Sequence, residues 1–238
     1  MSIMNKSTTV APFNDRTDAG RQLALDLPRF LSGQDPVILA LPMGGVPAAA
    51  AVANELNLPL DLIVSRRIPA PGGLGLSGED SVGALTPDRT LVVNTDLVKQ
   101  IGFSDEQVEQ LSIPVWADAQ RRQQLYRRGR PYPDLRGKTA VIMDDGLTTG
   151  YTMMAAVISV RKLEPARILV AVPVASIEAI ERLGSYVDEL HAVRISYEDP
   201  FAVASFYKYY APLNDQDVIW TMDFFWDQHP LQGYSETF

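Results

Sequence analysis

Residues 139–152 read Thr-Ala-Val-Ile-Met-Asp-Asp-Gly-Leu-Thr-Thr-Gly-Tyr-Thr. The uninterrupted apolar run from Ala140 to Met143 predicts a strand that is buried on both faces, and this strand ends at Asp144 and Asp145. A loop that begins and ends with glycine follows, and beyond it apolar residues recur at the spacing of a helix. The stretch therefore predicts a buried strand that passes into a helix through a short loop rich in glycine and threonine.

The start of that predicted helix is suited to a phosphate group. The first backbone N–H groups of a helix have no partner within the helix and lie at the positive end of its dipole. The segment from Thr148 to Thr152 can therefore hold a phosphate, with the threonine hydroxyls as further donors. Two carboxylates beside it would repel a second phosphate, but they accept hydrogen bonds from sugar hydroxyls and bind Mg²⁺. This combination predicts a site for a phosphorylated sugar.

Two other phosphate-binding motifs fit the sequence less well. A Walker A loop requires a lysine before its final Ser or Thr, and Tyr151 occupies that position. The segment from Gly73 to Gly78 matches the glycine pattern of dinucleotide-binding proteins, but Pro69 and Pro71 precede it and no helical pattern follows. Both motifs lack the structural context that their chemistry requires.

The central stretch resembles the signature of the type I phosphoribosyltransferases, in which an apolar strand and two acids precede a small loop ending in Thr-Gly-x-Thr. The resemblance implies a doubly wound α/β fold with a mainly parallel sheet, helices on both faces and a small hood formed by terminal segments. It also implies that Asp144 and Asp145 contact the ribose 2′ and 3′ hydroxyls of phosphoribosyl pyrophosphate, with Mg²⁺ bound largely through that substrate. The loop would bind the 5′-phosphate through Gly146, Leu147, Thr148, Thr149, Gly150, Tyr151 and Thr152.

Two shorter patterns resemble a subgroup of predicted bacterial phosphoribosyltransferases. One is Phe13-x-Asp-Arg-x-x-Ala-Gly-x-x-Leu-Ala24, and the other is Arg-Arg-x-x-x-Tyr-Arg followed by Leu-Arg-Gly-Lys within residues 121–138. We expect a single phosphoribosyltransferase-like domain over residues 13–238. Residues 1–12 would be a flexible lead-in, and residues 197–238 would form the hood and a C-terminal packing segment.

A second strand, glycine loop and helix precede the central stretch. The apolar run from Val37 to Leu41 predicts a buried strand, which Pro42-Met-Gly-Gly-Val-Pro47 follows. Glycine allows the backbone to approach a ligand closely, and this loop is similar to the pyrophosphate loop of the family, in which Met43, Gly44 and Gly45 would contact the diphosphate. A tight turn that binds no ligand is the alternative.

Two arginines follow the third predicted strand. The run from Leu60 to Val64 closes a β-α-β unit that should be right-handed and parallel, and it ends at Ser65-Arg66-Arg67. Arg66 and Arg67 could neutralise a diphosphate leaving group there. The family often carries a lysine where Arg67 stands, and the resemblance gives Arg67 a catalytic role. A solvated pair of basic side chains is the alternative.

Residues 68–80 contain four Gly and two Pro and show no apolar periodicity, which predicts a mobile loop. In the family this position carries a lid, which would exclude water from the ribosyl donor. Residues 81–93 predict a pair of strands around the turn sequence Thr86-Pro-Asp-Arg89.

Two segments have a marked composition. Residues 121–138 contain seven basic residues and one acid, which fits a solvated helix face, an oligomer contact or a funnel that steers polyphosphate. Residues 197–210 contain six aromatic residues, and in the family this region builds a hood over the acceptor base. Core packing or a dimer interface is the alternative for most of these rings.

Composition limits the classes of partner. The chain has 238 residues, a formal charge of −8 and no cysteine. The acidic balance argues against nucleic acid and anionic membranes as partners, and the absence of cysteine excludes disulfides and zinc–thiolate sites. Met1 to Val10 lacks the apolar core of a signal peptide, and no apolar run is long enough for a membrane span. We expect a cytoplasmic homodimer.

The resemblance predicts transfer of a 5-phosphoribosyl group from phosphoribosyl pyrophosphate to a nitrogenous, nucleobase-like acceptor, with Mg²⁺ as cofactor and release of pyrophosphate. Enzymes that act on hypoxanthine and guanine usually carry an Asp in the loop, and Thr148 stands at the matching position. That specificity is therefore disfavoured. The alternative function is a regulator of the same fold that binds phosphoribosyl pyrophosphate or a nucleotide without catalysis.

Overall fold

The computed structural model describes residues 12–31, 35–71 and 81–229. In these residues the strands are β1 Pro36–Ala40, β2 Leu60–Leu62, β3 Arg66–Pro69, β4 Ser81–Leu85, β5 Leu91–Val93, β6 Thr139–Met143, β7 Arg167–Ser176 and β8 Glu189–Ser196. The helices are α1 Arg16–Asp26, α2 Pro28–Leu31, α3 Gly45–Leu56, α4 Thr95–Gln100, α5 Asp105–Arg127, α6 Tyr151–Arg161, α7 Ile177–Leu183 and α8 Asp215–Gln228. A 3₁₀ helix spans Val203–Phe206.

A parallel sheet with the strand order β2-β1-β6-β7-β8 forms the centre of the described molecule. Each neighbouring pair of strands in it is parallel. The strand β6 lies in the middle of the sheet, and all of its residues are buried. The doubly wound α/β fold with a mainly parallel sheet, predicted from the sequence, is confirmed.

Both faces of the sheet are covered, which explains the continuous apolar run of β6. Successive residues of a strand face opposite sides of the sheet. Val141 and Met143 pack with residues of α3 and α8 in one apolar cluster. Ala140 and Ile142 pack with residues of α6 and α7 in another. A strand with two buried faces has no polar side to alternate with, so its sequence shows no period of two.

The strands β3, β4 and β5 form a separate antiparallel sheet. The predicted pair of strands within residues 81–93 is confirmed as β4 and β5. The predicted loop over residues 68–80 begins too early, because Ile68 and Pro69 belong to β3. This strand exists through its pairing with β4, with Ile68 opposite Gly83, a tertiary contact that local sequence does not reveal. The remainder of the predicted lid, residues 72–80, lies outside the described residues, as do residues 1–11 of the predicted lead-in.

The hood is built from both terminal regions of the described chain. The backbone N–H of Phe13 donates to the Phe206 carbonyl at 2.9 Å, and the Lys208 N–H donates to the Phe13 carbonyl at 2.8 Å. Phe13 packs against the Tyr207 ring, with 5.5 Å between ring centroids. The hood formed by terminal segments, which the family resemblance implied, is therefore present.

The basic segment within residues 121–138 is largely neutralised inside the chain. Its partners are acids on other elements or in the same segment, such as Asp61 for Arg127 and Asp215 for Arg122. The other ion-paired members are Arg121, Arg128, Arg136 and Lys138. Arg130 lies over the ring of Trp226. Little uncompensated positive charge is left for a polyphosphate funnel.

None of the helices in the described ranges is long and apolar enough to cross a membrane.

Candidate functional site

The candidate site lies where the carboxyl ends of β1 and β6 meet. The two strands are neighbours, with Ala40 opposite Met143. The chain leaves them in opposite directions, because β2 lies on one side of this pair and β7 on the other. Open α/β sheets bind ligands in the crevice that such a switch creates. The fold therefore brings the glycine loop after β1 beside the acidic loop after β6.

A cavity of about 240 Å³ opens in this crevice. The loop after β6 and the first turns of α6 supply most of its wall, and β3, β4 and the hood supply the remainder. The lining residues are Arg67, Ser81, Asp144, Asp145, Gly146, Leu147, Thr148, Thr149, Gly150, Thr152, Met153, Val203, Ala204 and Tyr210. Most of the site residues predicted from the sequence are thus in one space. The predicted residues that do not line it are Met43, Gly44, Gly45, Arg66 and Tyr151.

The carbonyl groups of the loop point toward the start of α7. The Leu147 carbonyl accepts a hydrogen bond from the Ser176 backbone N–H at 2.9 Å. The Thr148 carbonyl accepts one from the Ser176 hydroxyl at 2.5 Å. The guanidinium of Arg182 donates to the Thr149 carbonyl. Three successive carbonyl groups are fixed on one side of the loop.

The backbone N–H groups of the loop are consequently available to a ligand. In a trans peptide the N–H points opposite to the C=O of the same unit, so the N–H groups of Thr148, Thr149 and Gly150 face the other way. No acceptor for them, or for the first helical N–H groups from Tyr151 to Met153, is found in the described part of the chain. Leu147 is the exception, because its N–H is bonded to β7.

Gly150 turns the chain into α6. Its φ of +81° lies in the left-handed region, which glycine adopts without the cost that a side chain imposes. The turn leaves the free N–H groups at the amino terminus of α6, where the helix dipole is positive. A phosphate at this point could receive several N–H donors and the hydroxyls of Thr148, Thr149 and Thr152.

The glycine loop after β1 packs directly against the two acids. A Cβ on Gly44 would collide with the Asp145 carboxylate, and a Cβ on Gly45 would lie 2.6 Å from the Met143 carbonyl oxygen. Only glycine allows α3 to begin this close to the end of β6. Within the described ranges, no acceptor is found for the N–H groups of Met43 and Gly44, so these groups can donate to a ligand.

Asp144 is the more accessible of the two acids. Its Oδ1 accepts a hydrogen bond from the Asp145 backbone N–H at 2.8 Å, and no partner for Oδ2 is found among the described residues. Burial, together with the negative charge of Asp145, raises the pKa of the Asp144 carboxyl well above its usual range. The charged form of Asp144 would therefore be stabilised by a hydrogen-bond donor or a cation in the site.

Asp145 is 6% exposed, and one of its two carboxylate oxygens is engaged by other side chains. Its Oδ2 accepts hydrogen bonds from Arg16 Nε at 2.7 Å and from the Tyr210 hydroxyl at 2.9 Å. Its backbone carbonyl accepts one from the Tyr207 hydroxyl at 2.6 Å. The family resemblance placed Tyr207 and Tyr210 in a hood over the acceptor, not beside Asp145, and no role at the site was predicted for Arg16. Arg16 lies 129 positions from Asp145, and its only signal was its place in the pattern that begins at Phe13.

The two adjacent arginines have different surroundings. Arg67 lines the cavity, whereas Arg66 Nε lies 3.0 Å from a carboxylate oxygen of Asp118 on α5. Both belong to β3, and successive residues of a strand face opposite sides. One of the pair can therefore face the site, and the other is used to attach the antiparallel sheet to α5.

Comparisons with known proteins identify the family of this chain. A sequence model of the phosphoribosyl transferase domain matches residues 69–208. A Mycobacterium tuberculosis protein with a provisional name as a phosphoribosyl transferase is 36% identical over 214 residues, which are 89% of this chain and 46% of that protein. The chain thus spans about half the length of that relative.

A solved structure gives the same assignment of the fold. The crystal structure of a Thermus thermophilus protein superimposes with a TM-score of 0.70 at 35% sequence identity, covering 89% of this chain and 97% of that one. Residues 139–152, which resemble the signature of this family, lie within the region that the domain model matches. The chain belongs to the phosphoribosyl transferase domain family.

Proposed function

We propose that this protein transfers the 5-phosphoribosyl group of phosphoribosyl pyrophosphate to a nitrogen atom of a small, nucleobase-like acceptor and releases pyrophosphate. The observation that carries the proposal is the set of N–H groups from Thr148 to Met153, which have no acceptor among the described residues, beside the half-buried carboxyl group of Asp144 at one cavity. A phosphorylated sugar with free hydroxyls offers partners to both. Membership of the family supports this choice of sugar.

The donor would lie along the crevice with its three parts in three places. Its 5′-phosphate binds the N–H groups of residues 148–153, and its ribose hydroxyls bind Asp144. Its diphosphate lies toward Arg67 and the free N–H groups of Met43 and Gly44, where the arginine offsets its negative charge. The opposite orientation would bring the diphosphate close to two carboxylates and is disfavoured by repulsion.

Mg²⁺ fits this arrangement as a partner of the substrate. Among the described residues, no group of three or more His, Cys, Asp or Glu could hold a metal ion. Mg²⁺ typically takes one or two carboxylates together with phosphate oxygens and water. Asp144 would be its protein ligand beside the sugar, and the ion, when bound, would neutralise charge on the diphosphate.

The reaction is a displacement at C1 of the ribose. The lone pair of the acceptor nitrogen forms the new bond to C1. The bond from C1 to the diphosphate breaks, with its electron pair moving to the diphosphate oxygen, and the configuration inverts. The N–H proton of the acceptor passes to solvent. Hydrogen bonds from the sugar and a bound cation would favour the ionised form of Asp144. That charge would stabilise the positive charge that develops on the ribose ring, while the N–H groups of the loop hold the donor in position.

The hood supplies the wall of the cavity that would face the acceptor. Val203, Ala204 and Tyr210 line this side, and Val203 packs over Gly146. Thr148 provides no carboxylate to take a proton from the acceptor. This wall favours a flat heterocycle bound mainly by stacking and apolar contact.

The activity can be tested by following pyrophosphate release with Mg²⁺, phosphoribosyl pyrophosphate and a panel of purine and pyrimidine bases. We expect release with at least one base, and its loss in Asp144→Asn. Binding of the donor without release for any base would favour the non-catalytic regulator. A protein that does not bind the donor at all would contradict both functions.

Arg182→Met is expected to weaken binding of ribose 5-phosphate by about 5- to 10-fold, the size of one ordinary hydrogen bond. Without the guanidinium the Thr149 carbonyl loses its partner, and the N–H of Gly150 loses its fixed direction. Calorimetric titration measures the change. Arg161→Met is the matched control, because Arg161 ends α6 far from the loop and pairs with Asp188 at the surface. Equal affinity in wild type and Arg182→Met would contradict the assigned role of the loop.

A further inference from the structure

One face of α5 carries charged and apolar side chains in a regular order. Residues three, four or seven positions apart lie on the same face of a helix. On this helix and its C-cap residue, one such row is exposed: Glu106, Glu109, Ile113, Ala117, Arg121 and Arg128. We call this row the α5 stripe. It is acidic at its start, apolar in its middle and basic at its end.

The middle of the α5 stripe belongs to a larger apolar surface. Ile113 is 53% exposed, and the neighbouring Pro114 is exposed as well. A groove of about 650 Å³ lies between this part of α5 and the strands β4 and β5, and Leu91, which lines it from β5, is 42% exposed. Apolar side chains gathered at one groove, with charged residues around them, are typical of a surface that contacts another protein.

The two ends of the α5 stripe have hydrogen-bonding capacity that the chain itself does not use. In the part of the chain that the structure describes, neither Glu106 nor Glu109 has a basic partner. The Arg121 guanidinium donates to two carboxylates through Nη2 alone, and that of Arg128 donates to one through Nη1 alone. Their other N–H groups have no acceptor among the described residues. The acids at one end could therefore accept hydrogen bonds from the arginines at the other end of a second stripe.

A two-fold axis near Val115 would bring the unlike ends together. An axis across a helix reverses the direction of the second copy, so the acidic end of one α5 stripe lies beside the basic end of the other. Along the sequence, the pair Glu109 and Arg121 and the pair Ile113 and Ala117 are both centred on position 115. One antiparallel arrangement therefore aligns the charged pair and the apolar pair together.

The helix is anchored to the rest of the chain before any partner binds. Its inner face carries the buried residues Val108 and Tyr126. The Trp116 indole N–H donates to the Pro87 carbonyl at 2.9 Å, and the Arg89 guanidinium carbon lies 4.0 Å from the centroid of the Trp116 ring. A surface that is ordered before contact loses little conformational entropy on binding.

We propose that the α5 stripe and the adjoining groove bind a second copy of this chain, with the two α5 helices antiparallel across a two-fold axis. The occupant is a second copy because the stripe supplies both halves of its own complement. This surface shares no residue with the cavity of the candidate site, so the dimer can form whether or not the proposed reaction occurs. The homodimer expected from the sequence then has a defined interface.

Sedimentation equilibrium of the full chain over a range of concentrations measures dimerisation. The variants are Ile113→Asp, Glu109→Arg and Arg121→Glu, and native mass spectrometry follows an equimolar mixture of the last two. Leu25→Asp and Glu181→Arg are the matched controls, since both residues are exposed and neither belongs to the proposed surface. Circular dichroism establishes that each variant is folded. Glu109→Arg breaks no ion pair within the described chain, so it remains informative if Arg121→Glu does not fold.

We expect the wild type to dimerise at micromolar concentration. Ile113→Asp should weaken dimerisation by about 100-fold or more, since the two-fold axis places the new charge at the interface twice. Glu109→Arg and Arg121→Glu should each weaken it by about 10- to 50-fold, because attraction becomes repulsion at two symmetric contacts. Their mixture should form a heterodimer in preference to either homodimer, since only the mixed pair sets unlike charges together at both contacts. Both controls should dimerise like the wild type.

Four results would overturn the proposal. A wild type that stays monomeric at every concentration does not use the stripe to bind a second copy. A dimer that survives Ile113→Asp uses another surface. Weakened homodimers of Glu109→Arg and Arg121→Glu with no heterodimer in their mixture would contradict the antiparallel arrangement. Equal weakening by either control would mean that the effect is not specific to α5.

Discussion

Asp144→Asn is expected to weaken binding of phosphoribosyl pyrophosphate by about 10- to 100-fold and to make the folded protein more stable at neutral pH. The loss of binding follows because an amide cannot accept hydrogen bonds from the sugar as a charged carboxylate does. The gain in stability follows because burial and the charge of Asp145 oppose ionisation of Asp144. Asparagine carries no charge that burial could destabilise, and its side-chain oxygen can still accept the hydrogen bond from the Asp145 N–H.

The pH dependence of this stability difference has a definite sign. The folded protein holds the Asp144 proton to a higher pH than the unfolded chain, since the pKa is raised from its ordinary value of 3.8. The free energy of unfolding of the wild type therefore falls as pH rises from that value to the raised pKa, and then stays lower. Wild type and Asp144→Asn should have similar stability below about pH 4 and diverge above it.

The control for this prediction is Asp134→Asn. Arg136 lowers the pKa of Asp134 to about 2, so here the folded state favours the charged form. This variant should lose a little stability at neutral pH and bind the donor normally. Thermal unfolding across pH and calorimetric titration measure both effects. Undiminished donor binding by Asp144→Asn, or a lower stability than wild type at neutral pH, would contradict the role assigned to Asp144.

Gly45→Ala is expected to reduce the free energy of unfolding by about 2–3 kcal/mol, as overpacking of a core does. The added Cβ would lie 2.6 Å from the Met143 carbonyl oxygen and 2.8 Å from the Asp144 Cα. These are backbone atoms, so the start of α3 must move away from the end of β6. For a chain of this size the midpoint of thermal unfolding should fall by about 4–12 °C. Donor affinity should fall too, because the glycine loop is displaced.

Gly137→Ala separates this steric effect from the cost of backbone conformation. Gly137 has a φ of +73°, and a Cβ there would meet nothing within 4 Å among the described residues. Its substitution should cost about 1–2 kcal/mol from the left-handed backbone alone and leave donor binding unchanged. If Gly45→Ala has the same midpoint of thermal unfolding and the same donor affinity as the wild type, the close approach of the two loops is not required.

The central strand and its loop could be predicted because their signals are local. The uninterrupted apolar run of β6 indicates that both faces of the strand are buried. A glycine-bounded turn before a helix indicates N–H groups without partners in the helix. Gly44 and Gly45 were recognisable for the same reason. The proposed phosphate and sugar contacts therefore come mainly from residues 139–152.

The partners of Asp145 could not be predicted, because they depend on tertiary packing. Arg16 reaches the site only after residues 12–15 pair with the hood, and no periodicity marks that contact. Both arginines after β2 were predicted to neutralise a diphosphate, because nothing in the local sequence showed that they begin the strand β3. Successive side chains of a strand face opposite sides, so Arg66 contacts Asp118 and Arg67 lies beside the cavity.

The basic segment shows the same limit. Its local excess of positive charge suggested an interaction surface, but compensating acids such as Asp61 and Asp215 lie far away in the sequence. The net charge of a short segment does not show which of its charged side chains form ion pairs in the folded protein. The folded chain uses most of these charges to join α5 to α8 and to the central sheet.

The most direct test of the phosphate-binding loop is an NMR titration of isotope-labelled protein with ribose 5-phosphate, in which the backbone amide signals are followed. The largest changes should occur at the N–H groups from Thr148 to Met153, which have no acceptor in the described structure. The amides of Met43 and Gly44 should respond only when phosphoribosyl pyrophosphate replaces the monophosphate. Changes centred on another cavity, such as the one lined by Asp88 and Lys162, or no change at millimolar ligand, would contradict the account.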